Sequence, residues 1–222
     1  MGAVIPVLGL PVLNRGDLAE RMLGSVDIPV DETLVILNGN PDETRAYLRG
    51  RNVTFVDPAC NLGVAGSWNF IIRARPAAAW WLIVNADIEF GAGDLERLAE
   101  AMDTDAPLVA CLFEFGAFGI NAAAVDEVGW FDENFHPIYF EDNDYRRRCQ
   151  VAGVEVRKLI SRTRHDNSST IASGYSSHND RTFPLNAAYY RTKWGGPPNH
   201  EAVSAPSRPV LDRRRLVNNA WT

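Results

Sequence analysis

Trp80-Trp81-Leu82-Ile83-Val84-Asn85-Ala86-Asp87 is an apolar run of strand length that breaks at once into a polar triplet. An apolar run without polar alternation is the pattern of a strand buried on both faces. Similar runs recur on either side of it. Residues 3–8 end near Pro11 and the pair Asn14-Arg15. Residues 33–37 end in Asn38-Gly39-Asn40-Pro41, a turn cluster. Residues 52–56 and 108–113 are further strand candidates. Segments with helical spacing lie between the runs. They are 17–25, with Leu18, Met22 and Leu23 on one face, then 42–49, 66–74, and 93–102 with Asp94 in the N-cap place. Strands alternating with helices predict an α/β fold whose mostly parallel sheet is covered on both faces. Ligands of such sheets bind beyond the carboxyl ends of the strands. Asn14-Arg15, Asn38-Gly39-Asn40 and Asn85-Ala86-Asp87 all fall at those ends.

The second half changes character. Residues 122–128 and 141–151 read as helices, the latter closed by Gly153 as a C′ residue. From Ser161 onward the chain is rich in Ser, Thr, Asn, Gly and Pro and shows little periodicity. No internal repeat or linker appears. The expectation is one domain over residues 1–195 and a poorly structured, extended tail over 196–222.

The 222 residues carry a net charge of -6 and a pI near 5.2. That balance argues against a general nucleic-acid binder, which needs a basic face. An acidic protein that handles phosphates needs a bound cation or backbone N–H groups to do so. Cys60, Cys111 and Cys149 form no CxxC pair, so they read as reduced thiols, with Cys111 and Cys149 in the core. This predicts a cytoplasmic protein. No basic segment precedes the apolar start, so no signal peptide is expected. The longest apolar run, 76–84, is far shorter than the ~20 residues that span a bilayer.

Four elements carry chemistry. Asp87, two residues past a buried strand, points into the crevice at the sheet edge, where a carboxylate can hold Mg²⁺ or Mn²⁺ with diphosphate oxygens completing the shell. Read more plainly, Asn85-Ala86-Asp87 is a turn. Asn61-Leu62-Gly63-Val64-Ala65-Gly66-Ser67-Trp68-Asn69 joins a strand to a helix, where glycines permit close approach and the helix start attracts anions. It fits neither the dinucleotide fingerprint nor the Gly-Lys-Ser/Thr phosphate loop. Tyr139-Phe140-Glu141-Asp142-Asn143-Asp144 sets three carboxylates at a helix start. The helix dipole favours their charge, and their mutual repulsion raises at least one pKa. Such a carboxylate suits a general base; the plainer reading is an acidic helix start. Arg146, Arg147 and Arg148 are either solvated or paired with these acids. His165 is a candidate ligand, ahead of His136, His178 and His200.

The order of these motifs resembles glycosyltransferase family 2, the inverting enzymes of the GT-A fold. Asn-Arg after the first strand and Asn-Gly-Asn after the second are followed by Asn-x-Gly-x-Ala-Gly-x-x-Asn. Strand-Asn-x-Asp, Phe131-Asp132-Glu133-x-Phe135, Tyr-Phe-Glu-Asp-x-Asp and a downstream His complete the series. The resemblance covers residues 3–170, and the Tyr-Tyr and Lys-Trp-Gly-Gly ending is similar to that of small family members from phages and actinobacteria. It implies a GT-A, Rossmann-like, mostly parallel sheet flanked by helices. Asp87 corresponds to the metal-binding end of Asp-x-Asp, and Asn85 to its first position. Asp142 corresponds to the catalytic base, with Glu141 beside it. His165 corresponds to a His that contacts metal or diphosphate. Pro11, Asn14 and Arg15 correspond to the loop bordering the nucleotide, and Asn38 to the Asp that recognises base or ribose. Asn61, Gly63, Ser67 and Asn69 correspond to the stretch along nucleotide and diphosphate.

Two departures stand out: Asn38 replaces the usual Asp, and Asn85 removes one carboxylate. Tyr189, Tyr190 and Trp194 either stack on a sugar or pack the tail onto the core. The implied activity is Mn²⁺- or Mg²⁺-dependent transfer from a nucleotide-sugar to an acceptor glycan, protein or small molecule. The acceptor is expected against the 131–140 loop and the aromatic tail. A sugar nucleotidyltransferase, an inactive sugar- or nucleotide-binding module and a plain structural domain are the alternatives. The sequence leaves the oligomeric state open.

Overall fold

The structure, a computed structural model, describes residues 2–39, 41–166, 176–204 and 211–212, with 176–179 as backbone only. Asn40, the His178 side chain and most of the tail lie outside the described residues. In chain order the elements are β1 (Ile5–Val12), α1 (Gly16–Gly24), β2 (Val30–Leu37), α2 (Pro41–Tyr47), β3 (Thr54–Val56), α3 (Gly63–Ala74) and β4 (Trp80–Val84). Then come β5 (Ile88–Glu89), α4 (Asp94–Met102), β6 (Leu108–Phe113), β7 (Ala117–Asn121), α5 (Ala122–Val128), a 3-10 turn (Glu133–Phe135) and α6 (Glu141–Ala152). β8 (Glu155–Lys158), β9 (Arg164–His165) and α7 (Ser176–Trp194) follow.

β4 is the middle strand of a seven-stranded sheet ordered β3-β2-β1-β4-β7-β6-β8. All of its residues are buried. β3, β2, β1 and β4 are parallel neighbours, β6 and β8 are parallel to each other, and β7 runs antiparallel to both β4 and β6. The sheet is therefore mostly parallel, as expected. Alternation along the strands feeds two cores. Leu82 and Val84 join Leu10, Val35 and Ala110 under α1 and α4. Trp81 and Ile83 join Ile36, Val109 and Phe118 under α3, α5 and α6. Each large side chain buried this way contributes roughly 1.5–3 kcal/mol. α3 lies so close to β1 that a Cβ on Gly9 would sit 2.5 Å from Ile71 Cδ1.

Several expectations need correction. α3 starts at Gly63, three residues before the expected start at 66. Gly93, at φ 73, takes the N-cap place of α4. Asp94 is instead the first helical residue, and its Oδ2 accepts from Arg162 N (2.9 Å), Ser161 Oγ (3.0 Å) and Thr163 Oγ1 (2.7 Å). It thereby ties the chain entering β9 to the body of the fold. α7 is a long helix where no periodicity was visible. Its buried positions include Thr182, Asn186, Ala187, Tyr190 and Trp194, which follow helical spacing but mix polar with apolar residues. β8 is an edge strand with Glu155, Arg157 and Lys158 exposed, and edge charge of this kind deters strand addition. The start of the tail folds back on α7: Ala202 N and Val203 N both donate to Trp194 O at 3.0 Å. Among the described residues no helix is long and apolar enough to cross a membrane.

Candidate active site

A cavity of ≈ 340 Å³ opens at the carboxyl ends of β1, β2 and β4, where a mostly parallel sheet presents a crevice. Pro11 and Asn38 line it from the ends of β1 and β2, and Asn61 and Gly63 from the start of α3. Asn85 and Asp87 come from beyond β4, Glu141 and Asp142 from the start of α6, and His165 from β9. Nine residues read from the sequence thus meet around one space. Asn14, Arg15, Ser67 and Asn69 are not among its lining residues.

Asp87 follows the β4 run through a turn in which Ile88 N donates to Asn85 O at 3.3 Å. β5 pairs with β9, placing Ile88 opposite His165. His165 Nε2 and Asp87 Oδ1 are 3.0 Å apart. The same pairing lets Asp166 N donate to Asp87 O at 2.9 Å, and Phe113 packs on the imidazole with ring centroids 5.0 Å apart. A carboxylate oxygen and an imidazole nitrogen 78 residues apart in sequence are thus held as one pair. Among the described residues no group of three or more His, Cys, Asp or Glu side chains surrounds a potential metal position.

Glu141 and Asp142 open α6 directly after Tyr139 and Phe140, both at positive φ (78° and 73°). Two successive non-glycine residues in that region carry strain, and such strain clusters at functional sites. Glu141 is 5% exposed, and its Oε2 is buried with no hydrogen-bond partner. Burial, then the neighbouring Asp142, lifts the Glu141 carboxyl well above the usual carboxylate range. Burial also raises Asp142, opposed by the N–H of Asn143, which donates to Asp142 Oδ1 at 2.7 Å. The raised pKa expected at this helix start is present, but burial is its first cause and like-charge repulsion is secondary. Of the three arginines that follow, Arg148 Nε donates to Asp144 Oδ2 at 2.9 Å, Arg146 pairs with Glu114 and Arg147 Nη1 donates to Gln150 Oε1 at 3.2 Å.

The glycine-rich stretch is committed to internal contacts. Gly63 N donates to Asn61 Oδ1 (2.8 Å), and Val64 N to Pro137 O (2.8 Å). A Cβ on Gly63, at φ 69, would meet His136 Nδ1 at 2.6 Å. What the glycine admits is therefore the 136–137 loop. Asn38 Nδ2 donates to Ser67 Oγ (2.7 Å), and Asn38 Oδ1 accepts from Leu62 N (3.0 Å). Asn69 is fully buried and spans Phe131 N, Phe131 O and Glu133 Oε1. Arg15 makes two hydrogen bonds to Asp17, at 2.8 and 2.7 Å. Ser67 thus braces two wall residues, Asn38 and Gly63, from behind, while those bonds of Asn69 and Arg15 run to residues outside the lining.

A profile of the glycosyl transferase family 2 matches residues 8–152, from β1 to the end of α6. The chain belongs to glycosyl transferase family 2. Its fold is shared with the crystal structure of GalNAc-T7 with UDP, GalNAc and Mn²⁺, at TM-score 0.63 and 12% identity over 72% of this chain and 43% of that one. The family 2 chain thus spans less than half the length of that relative. It is also similar in fold to a nucleotidyl transferase from Methanothermobacter thermautotroptrophicus (Mth528), at TM-score 0.57 and 16% identity over 83% of this chain and 100% of that one. No match is found among curated protein sequences. The fold is the GT-A-like sheet that the resemblance implied.

One part of the cavity wall of this family 2 chain had no counterpart in the motifs: Phe113, Glu114, Phe115 and Gly116 enter from the turn between β6 and β7. Gly116, whose N–H donates to Phe113 O at 2.9 Å, marks that turn in the sequence, and Glu114 takes φ 42 within it. Pro137, Ile138 and Tyr139 enter from within the 131–140 loop named for the acceptor. The aromatic ending resolves toward packing: Tyr190 and Trp194 are fully buried and cluster with Phe135. Tyr189 OH donates to Asp132 Oδ2 at 2.9 Å. None of the three rings lines the cavity.

Proposed function

We propose that the chain is an inverting, metal-dependent glycosyltransferase that uses a nucleotide-sugar donor, with residues 1–195 as the transferase domain and 196–222 as a tail. The observation that carries this is the charge of the cavity. Asp87 and Asp142 line it beside the buried Glu141 and beside Glu114, whose charge is paired with Arg146 and Lys158, and among its described lining residues there is no Lys or Arg. A diphosphate entering an acidic, Arg-free space meets net repulsion unless a cation comes with it. Asp87 and His165 are the residues that would hold a divalent cation; the carboxylate suits Mn²⁺ or Mg²⁺ completed by phosphate and water oxygens, and the imidazole nitrogen favours Mn²⁺ of the two. When bound, the cation supplies charge that stabilises the leaving diphosphate.

The chain's own groups do the rest. Asp142 accepts the proton of an acceptor hydroxyl as that oxygen attacks the anomeric carbon. The bond from that carbon to the diphosphate oxygen breaks on the opposite side, so one displacement inverts the configuration. Burial lifts Glu141 well above the usual carboxylate range, which favours its protonated form beside Asp142. Pro11, Asn38, Asn61, Gly63 and Asn85 shape the nucleotide side, and Asn14, Arg15, Ser67 and Asn69 serve it from outside the lining. The acceptor, a glycan, protein or small molecule, lies along the 137–139 loop. Cys60, Cys111 and Cys149 are free, and burial pushes the thiols of Cys111 and Cys149 up to about 12. A reducing, cytoplasmic setting accords with three cysteines that form no disulfide.

Asp142→Asn tests the base. Nucleoside diphosphate release from a panel of UDP-, GDP- and dTDP-sugars, in the presence of an acceptor, should fall about 10²–10⁴-fold with nucleotide affinity unchanged. In the parent protein the acid limb of the pH–rate profile should lie above 3.8, the ordinary Asp value, because burial raises Asp142. Parent-like turnover in the variant removes Asp142 from the mechanism. Pyrophosphate release from a nucleoside triphosphate would point instead to a nucleotidyltransferase, and binding without turnover to an inactive module.

A further inference from the structure

A second cavity, ≈ 520 Å³, lies between α3, the end of α5 and the 129–133 segment. We propose that it binds a neutral sugar unit and serves as a remote subsite for a glycan acceptor. The acceptor role rests on the transferase reading above; the binding chemistry does not.

Three features of the lining specify the ligand. Trp130 is 42% exposed at this cavity, and the Arg73 guanidinium lies 4.7 Å from its ring centroid. A large aromatic surface held open at a pocket offers a flat apolar face, matched by the C–H face of a pyranose ring. Arg148 supplies the second feature. Its side chain is 10% exposed, its Nε is used by Asp144 and its Nη1 donates to Val128 O at 3.0 Å. Arg148 lines the cavity with its guanidinium carbon 4.7 Å from the Tyr145 ring centroid, and its Nη2 is buried with no hydrogen-bond partner. A buried charged donor without an acceptor is costly, and a ligand oxygen would complete it. The third feature is the carboxylates: Asp126, Glu127, Asp132 and Glu133 also line the space, and these only accept hydrogen bonds when ionised.

Those charges exclude the other ligand classes. An anion would suit Arg73 and Arg148 but meet the four carboxylates. A cation would suit the carboxylates but meet the two guanidinium groups. Hydroxyl groups both donate and accept, so an uncharged polyol satisfies both sets at once. The position fits an acceptor chain. Val64 lines the first cavity and Arg73 the second, both from α3, a separation of about 14 Å along the helix axis at 1.5 Å per residue. The loop that contributes Pro137 and Tyr139 to the first cavity contributes Phe131 and Glu133 to the second.

The test uses the full chain and saturation-transfer NMR with titration. The probes are the methyl glycosides of glucose, galactose, mannose, rhamnose, N-acetylglucosamine and N-acetylgalactosamine. At least one should bind the parent protein, bind Trp130→Ala at least tenfold more weakly, and lose no more than a few-fold with Trp130→Phe, which keeps a stacking face. Asp87→Ala should keep saccharide binding while losing metal-dependent UDP, GDP or dTDP binding, and Trp130→Ala should do the reverse. That crossed pattern separates failure of this site from failure of the transferase reading. Absence of binding by all six glycosides, or binding unchanged in both Trp130 variants, overturns the proposal.

Discussion

Glu141 is a buried carboxyl whose Oε2 has no partner, and its neutral form is the one the fold tolerates. The linkage sign follows. A folded-state pKa raised above the ordinary 4.5 means that the unfolded chain ionises first. The stability this group contributes is complete below 4.5 and is lost as pH rises through the folded pKa. Glu141→Gln removes the titration. Its melting temperature relative to the parent should therefore climb as pH is raised from 4.5 to 8, and a pH-independent difference would show that Glu141 is ionised in the fold. Asp87 and Asp142 were legible as carboxylates at the sheet edge, where both line the cavity, because each follows a signal the chain states locally, an apolar strand or a helix start. The cause of the raised pKa was not legible, since burial depends on the 137–139 loop and the β6–β7 turn closing over the site. Ser67 and Asn69 look like ligand residues by motif, yet their hydrogen bonds run inward to Asn38, Phe131 and Glu133.

α7 acts on α6 through a buried ionic cluster. Lys193, its side chain 7% exposed, lies 2.9 Å from Asp132 Oδ2 and 2.5 Å from Asp144 Oδ1. Trp194 Nε1 donates to Asp144 Oδ1 at 2.8 Å. Asn186 Nδ2 donates to Ile138 O at 2.9 Å and to Phe135 O at 3.1 Å, holding the loop that walls the cavity. Removing one member of a buried ion pair strands the charge of the others, at a cost of about 3–5 kcal/mol. Lys193→Met should lower the melting temperature by roughly 6–20 °C, as differential scanning calorimetry would record; a change within a degree or two would mean that the cluster is not holding α7. This helix escaped sequence reading for the same reason that it matters. Its inward stripe carries Thr182, Asn186 and Lys193, so hydrophobic periodicity, the signal for a helix, is replaced by polar contacts visible only once the 132–144 segment is in place. β4, β6 and α5 carried their pattern within themselves and were placed at their observed bounds.

At the scale of the molecule, the strand–helix alternation before residue 113 was enough to place the polar clusters at one sheet edge. The reversal at β7 and the β5–β9 pairing were not visible, because they depend on contacts between short segments far apart in sequence. That pairing is what brings His165 to Asp87. The acidic cavity then makes one demand on the whole account: phosphate binding has to depend on a cation. Thermal unfolding of the parent and of Asp87→Ala with UDP, GDP and dTDP, each with and without Mn²⁺, tests this most directly. One nucleotide, at about 100 times its dissociation constant, should raise the melting temperature of the parent by about 5–10 °C only when Mn²⁺ is present, and the shift should vanish in Asp87→Ala. An equal shift without Mn²⁺, or no shift with any of the three, would contradict a metal-dependent nucleotide-sugar site at Asp87.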